Sequence, residues 1–167
     1  MDELRDAKEY GSILNISQVD FSALYARMDE VLEEISIFRE VALKSILPFI
    51  HVAEVMAQKY SVVVTNPPYL QSSGMNSKLS DYLAENYPDS KWDLFAVFIE
   101  RCGAFLSPYG LQAMVTMHSW MTLGTYEDFR LKMSHGNLIN MAHLGKRAFE
   151  EINGDVVQTT SCILHPL

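Results

Sequence analysis

The sequence predicts an α/β domain: a mainly parallel sheet with helices on both faces, an antiparallel edge, and a long bent helical hairpin ahead of the sheet. Three observations lead there. Apolar residues recur at three and four positions between Asp20 and Lys59, an unbroken β-branched run stands at 61–65, and the rest alternates strand-like with helix-like segments. A chain of 167 residues, 49% hydrophobic and 20% charged, buries one ordinary core. A single domain over 1–167 is therefore expected, with 1–59 as helical lead-in and 60–167 as the α/β part.

Residues 1–17 have mixed character, with Ser12-Ile13-Leu14-Asn15-Ile16 reading as a brief strand or an extended lead-in. From Asp20 the residues Phe21, Leu24, Met28, Val31, Leu32, Ile35, Phe38 and Ala42 mark one face of a long amphipathic helix. Pro48 lacks a backbone N–H and clashes with the preceding turn. The helix should therefore kink or stop near Leu47, and a second should run to about Lys59. Glu30, Glu33, Glu34, Arg39 and Glu40 read as an ordinary solvated face.

Ser61-Val62-Val63-Val64-Thr65 shows no alternation, as expected of a strand covered on both faces in a parallel sheet. Asn66-Pro67-Pro68-Tyr69 terminates it, and a polar stretch follows from Gln71 to Ser90. Phe95, Ile99, Cys102 and Leu106 then mark a helix that Ser107-Pro108-Tyr109-Gly110 ends. The remainder reads as a strand at 111–116, a loop through His118-Ser119-Trp120, a helix at 126–133, a strand at 138–144 and a closing strand at 156–164. The last two are joined by Glu151-Ile152-Asn153-Gly154-Asp155 and would supply the antiparallel edge.

Composition excludes several classes. No uncharged apolar run approaches the roughly 20 residues of a membrane helix, and Met1-Asp2-Glu3 lacks the basic then apolar layout of a signal peptide, so a soluble cytoplasmic protein is expected. Cys102 and Cys162 stand far apart in apolar surroundings and read as core thiols. His51, His118, His135, His143 and His165 show no ligand spacing, so no metal is expected. A net charge of -8 predicts weak DNA binding by the chain alone, because phosphate neutralisation dominates that affinity. The modest basic groupings, Arg130 with Lys132 and Lys146-Arg147, read as solvated surface.

Chemistry concentrates at Asn66-Pro67-Pro68-Tyr69. In an open parallel sheet, ligands bind outside the carboxyl ends of strands, where this tetrapeptide falls. Two prolines fix successive φ angles, and Pro67 forces Asn66 into extended backbone, so the loop is rigid before any substrate arrives. Such a loop suits modification of the exocyclic amine of adenine, whose lone pair is delocalised into the ring. The Asn66 side-chain oxygen and the Pro67 carbonyl can each accept one N–H of that amine, favouring a pyramidal nitrogen with its lone pair aimed at a methyl group. The amine is unreachable inside a duplex, so the base must flip out. The Tyr69 face would hold it, stacking being worth roughly 1 to 3 kcal/mol. The bland alternative is a proline-rich turn with Tyr69 packed on the core. A given four-residue string with two prolines arises by chance in a chain this long on the order of once in a thousand, which favours the functional reading.

The chain resembles the amino-methylating DNA methyltransferases, whose fourth motif is Asn/Asp/Ser-Pro-Pro-Tyr/Phe after a central strand. Val64-Thr65-Asn66-Pro67-Pro68-Tyr69, Gly74-Met75-Asn76, Asn86-Tyr87-Pro88-Asp89-Ser90-Lys91 and residues 93–101 look like the PglX-like enzymes of BREX phage defence and related type IIG restriction-modification proteins. Ser119-Trp120-Met121, Ala148-Phe149-Glu150-Glu151 and Val157-Gln158-Thr159 are similar too, so the likeness covers about residues 1–165. It implies transfer of a methyl group from S-adenosylmethionine to adenine N6 on a Rossmann-like sheet, of which this chain would be part.

The family's glycine-rich first motif, which approaches the methionine end of the cofactor, is not found: all eight glycines are isolated and no GxG occurs. Nor are the acidic second motif and the target-recognition domain visible. The resemblance offers Asp6, near Gly11-Ser12, as a contact to the cofactor's adenine, and a surface aspartate is the alternative. It offers Asp93 and Phe95 beside the adenine pocket, against an N-cap and a core residue. His118-Ser119-Trp120 can line the cleft, with Trp120 buried under the loop as the alternative. The expected function is thus part of a site-specific DNA adenine methyltransferase, inactive by itself, with DNA as partner and association through a sheet edge or the helices. Two other readings are a binding module derived from this fold that works with a partner chain, and an interaction protein using the helix pair at 20–59.

Overall fold

The computed structural model describes residues 4, 6–33, 37–134, 138–145 and 158–166, and their side chains except those of 32–33, 37–40 and 134. Among these residues no helix is long and apolar enough to cross a membrane. The chain divides into two compact units, Met1–Gln58 and Lys59–Leu167.

The first unit is helical. A single turn, α1 (Ala7–Tyr10), runs into a tight turn at Gly11–Ile13, and residues 14–20 form the extended lead-in. The helix α2 (Phe21–Glu33) begins where the Asp20 carboxylate accepts the Ala23 N–H at 3.0 Å, an N-terminal cap. The next helix, α3 (Ile37–Ala57), carries Pro48 in its interior. Of the two outcomes expected at Pro48, a stop is corrected: the helix continues through it. Losing one N–H and straining one turn costs about 3 kcal/mol, and the helical segments at 37–47 and 49–57 outweigh it. The two helices run antiparallel. Gln18, just before α2, donates to the Ala57 carbonyl at the end of α3, and the Tyr25 hydroxyl donates to Glu54 at 2.7 Å. The predicted face positions Leu32, Ile35 and Phe38, and the charged residues Glu33, Glu34, Arg39 and Glu40, fall outside the described side chains.

Among its described residues the second unit is a four-stranded sheet with helices. Its strands are β1 (Tyr60–Thr65), β2 (Leu106–Met117), β3 (Leu138–Gly145) and β4 (Thr159–Leu164), in the order β1-β2-β4-β3. β1 pairs parallel with β2, while β4 enters between β2 and β3 and is antiparallel to both. The α/β class holds, and β3 and β4 supply the expected antiparallel edge, with β4 inside and β3 outermost; among the described strands the sheet is mixed rather than mainly parallel. Buried Thr160, Cys162 and Leu164 explain the place of β4: they alternate onto the face where Met114 and Gln112 of β2 pair with Cys162 and Leu164.

That face is covered by helices α5 (Leu94–Phe105) and α6 (Glu127–Ser134). Phe95, Ile99, Phe129 and Met133 join Met114, Trp120, Tyr126, Cys162 and Leu164 in one core. Each large apolar side chain buried there contributes about 1.5–3 kcal/mol. Lys132 of α6 pairs with Asp89 and lies 3.7 Å from Glu100 of α5, tying the helices together at the surface. The opposite face carries Val62 at 61% and Val64 at 73% exposure, so β1 is not covered on both sides as its composition suggested. A β-branched run reports the strand and not what lies over it. At the other end of the strand pair, a Cβ on Gly110 would lie 2.9 Å from the Tyr60 carbonyl oxygen. Glycine there is what lets β1 approach β2.

One element was not anticipated. The polar stretch between 71 and 90 contains a helix, α4 (Ser77–Asn86), started by Asn76, whose side-chain oxygen accepts the Leu79 N–H at 2.9 Å. Leu79 and Leu83 alone bury its inner face.

Candidate active site

The tetrapeptide Asn66-Pro67-Pro68-Tyr69 leaves the carboxyl end of β1 as irregular backbone beside the end of β2. Pro67 is buried, whereas Asn66 and Pro68 are exposed, so the loop is seated on one residue and presents its neighbours. Tyr69 is half-buried. Its hydroxyl donates to the Val115 carbonyl of β2 at 3.1 Å, and its ring meets Phe95 edge-on, with centroids 6.0 Å apart and planes at 82°. Burial, then the nearby Asp93 carboxylate, pushes the Tyr69 phenol above its ordinary pKa, which keeps the O–H protonated as a donor.

The loop exit is fixed by Asp93. This residue caps the N-terminus of α5, accepting the Phe95 N–H at 3.4 Å, and the same Oδ1 accepts the Leu70 N–H at 3.0 Å. Backbone bonds reinforce the junction: Leu94 N–H donates to Leu70 at 3.1 Å, and Ser72 N–H to Trp92 at 2.9 Å, around an antiparallel bridge of Gln71 with Asp93. Asp93 is only 3% exposed. Burial raises its carboxyl above the ordinary carboxylate range, outweighing the Leu70, Phe95 and Leu94 N–H groups that favour the charged form. Beside this junction lies a cleft of about 220 Å³ walled by Gln71, Trp92, Asp93, Met117, Ser119 and Tyr126. Burial, followed by the Asp93 charge, holds the Tyr126 phenol far above its ordinary pKa, so it stays a neutral hydroxyl.

The expected site residues thus separate by depth. Asn66, Pro67, Pro68 and Tyr69 are contiguous at the strand end, and Asp93 is joined to them through Leu70. Phe95 is fully buried under Tyr69. Trp120 is a core residue: its indole N–H donates to the Thr116 hydroxyl at 3.2 Å and its ring packs edge-on against Phe129. The placement of Phe95 and Trp120 against the cleft is therefore corrected to the core beneath it, because α5 and the turn at 118–121 direct both rings inward. Asp6 lies in the other unit, its backbone carbonyl accepting the Glu9 and Tyr10 N–H groups. Ala148-Phe149-Glu150-Glu151, Lys146-Arg147 and Val157 fall outside the described residues. Sequence reasoning missed Trp92, Gln71 and Tyr126 as cleft walls. The one available signal was an aromatic residue directly before the helix cap Asp93.

The cofactor that the resemblance implies, S-adenosylmethionine, requires a turn whose backbone N–H groups stand open to its methionine end. Among the described glycines, Gly110 is closed against Tyr60 and Gly74 against the Leu70 side chain, while Gly11 and Gly145, both with positive φ, stand singly. No such cradle stands at the 66–69 loop among the described residues, which do not by themselves fit the cofactor.

Comparison with known proteins bears on this arrangement. Residues 10–149 match the model of the Eco57I restriction-modification methylase family. The chain is 41% identical over 162 residues to the adenine-specific methyltransferase BrxX of Escherichia coli O9:H4 (strain HS), covering 95% of this chain and 13% of that protein. It is 47% identical over 115 residues to the adenine-specific methyltransferase PglX of Lacticaseibacillus casei (strain Zhang), covering 69% of this chain and 10% of that protein. Among solved structures, the DrdV–DNA complex is similar in fold, with a TM-score of 0.53 and 18% identity over 69% of this chain and 14% of that one. By the extent of the family match and the identity to both methyltransferases, the chain belongs to the Eco57I restriction-modification methylase family.

Proposed function

We propose that this chain supplies the target-base side of a DNA methyltransferase that modifies the N6 amine of a flipped adenine in restriction-modification or phage defence, with S-adenosylmethionine as methyl donor. The observation that carries the reading is the 66–69 loop: exposed Asn66 on a buried Pro67, at the carboxyl end of β1, with its exit clamped by Asp93. Asn66 Oδ1 and the Pro67 carbonyl oxygen accept the two amine hydrogens, drawing the nitrogen toward a pyramidal geometry. The Tyr69 ring, held by its bond to Val115, gives the base a face. The prolines and the Asp93 clamp limit reorganisation when the base arrives. With no glycine cradle at the 66–69 loop among the described residues, their work is assigned to the amine, and the chain alone is expected to be inactive and to give no heat in a calorimetric titration with the cofactor.

The test is incubation of the full-length protein with random-sequence duplex DNA and methyl-labelled S-adenosylmethionine, followed by nucleoside mass spectrometry. Label in N6-methyldeoxyadenosine is expected. Label absent, or present only in a cytosine product, overturns the reading.

A second reading has one observation behind it. The helix pair of the first unit encloses an apolar groove of about 690 Å³ lined by Phe21, Leu24, Ile46, Phe49, Ile50 and Ala53, as an interaction module would. Retention of full methylation by Asn66→Ala would favour this reading over the first.

A further inference from the structure

Trp92 stands out among the residues that the target-base reading leaves unused. The residue is 40% exposed, unlike Trp120, which is buried at 4%. Its backbone is tied down at the junction. Its carbonyl accepts the Ser72 N–H at 2.9 Å, and its neighbour Asp93 is buried and bonded to Leu70. The ammonium of Lys91 lies over one face of the indole, 5.3 Å from its centroid, which orients the ring and leaves the other face for a base. The ring borders the cleft of about 220 Å³ together with Gln71, Ser119 and Tyr126, whose amide and hydroxyls offer hydrogen bonds. An exposed aromatic on a rigid platform, beside a cation and a polar cleft, has the composition of a nucleobase platform with an adjoining phosphate contact.

Resting on the reading of the 66–69 loop, we propose that Trp92 stacks on a base flanking the flipped adenine, with Lys91 contacting the strand's phosphate. Tyr69 and Trp92 flank one junction, because Leu70 after Tyr69 is bonded to Asp93 after Trp92 and Ser72 is bonded to Trp92 itself. On this proposal a strand whose adenine enters at Asn66 passes the Trp92 rim with its next base unstacked from the target. Trp92 replaces the stacking partner that flipping removes. The contact is sequence-tolerant, because every base has a π-face, and it lowers the cost of flipping without reading the site.

The experiment uses the full-length protein and a duplex carrying the methylated sequence identified from its own products, with 2-aminopurine placed in turn on either side of the target adenine. Trp92→Ala is expected to weaken DNA binding about 5- to 150-fold, from the stacking energy of one base. It also alters the 2-aminopurine fluorescence of the complex at one flanking position only. Trp92→Phe, which keeps a π-face, recovers most of the affinity, and Lys91→Ala lowers the slope of log affinity against log salt by about 1. Affinity of Trp92→Ala within twofold of the parent, or fluorescence unchanged at both positions, overturns the proposal. Asn66→Ala separates the two ideas: if it methylates normally, the target-loop reading fails irrespective of Trp92. If it is inactive while Trp92→Ala binds as the parent does, only the stacking proposal fails.

Discussion

Removing the Asp93 carboxylate is the perturbation with the most definite expected size. Asp93→Ala deletes an N-terminal cap, which costs about 1 kcal/mol. It also leaves the half-buried Leu70 N–H without its acceptor at 3.0 Å, which costs roughly another 1 kcal/mol. A loss of about 2 kcal/mol is expected in urea unfolding followed by circular dichroism. Asp93→Asn keeps an acceptor oxygen and costs less. The pH dependence has a defined sign. Folding holds this carboxyl above its ordinary value of 3.8, so its favourable contribution is complete below that value and is lost as pH rises through the folded pKa. The parent's advantage over Asp93→Asn is thus largest in acid and shrinks toward neutral pH. Because Leu70 follows Tyr69 directly, release of the clamp also displaces the loop. A displacement near 1 Å at a reacting centre is worth on the order of 100-fold in rate, so kcat of Asp93→Ala should fall more than DNA affinity. Unchanged unfolding of Asp93→Ala, or a parent that gains on Asp93→Asn as pH rises, would refute the reasoning.

Other predictions follow from single contacts. Tyr69→Phe removes the hydrogen bond to Val115 and should cost about 1 kcal/mol of stability while keeping the stacking face, so DNA affinity measured by anisotropy changes little. Gly110→Ala places a Cβ 2.9 Å from a backbone oxygen that cannot step aside, and denaturation should show a loss above about 1 kcal/mol. Burial pushes the Cys102 and Cys162 thiols up to about 11, so both should resist iodoacetamide at pH 8 in the folded chain and react once urea unfolds it.

Most of the second unit was legible because its signals are local. The spacing of Phe95, Ile99 and Cys102 gave a helix whose buried face is the one observed, and the β-branched run gave β1 to within one residue. Pairing was less legible. The last two strands read together as the antiparallel edge, yet which of them lies outermost depends on which neighbours bury Cys162 and Leu164, a long-range fact. The helix at 77–86 was hidden because two leucines suffice to seat it and most of its other residues are polar. A stop at Pro48 was the opposite error, since a local penalty of a few kcal/mol is absorbed by a long helix. At the site, the tetrapeptide announced itself through two prolines. The depth of Trp120 and the exposure of Trp92 depend on how the turn at 118–121 and the clamp at 93 orient them, which spacing does not encode.

The account rests on Asn66 as an acceptor for the amine, and the direct measurement is single-turnover methylation by full-length Asn66→Ala with DNA affinity measured in parallel. Loss of one preorganised partner at the reacting nitrogen predicts a rate lower by about 100- to 1000-fold with DNA affinity nearly unchanged. A variant that methylates adenine at the parent rate would contradict the account.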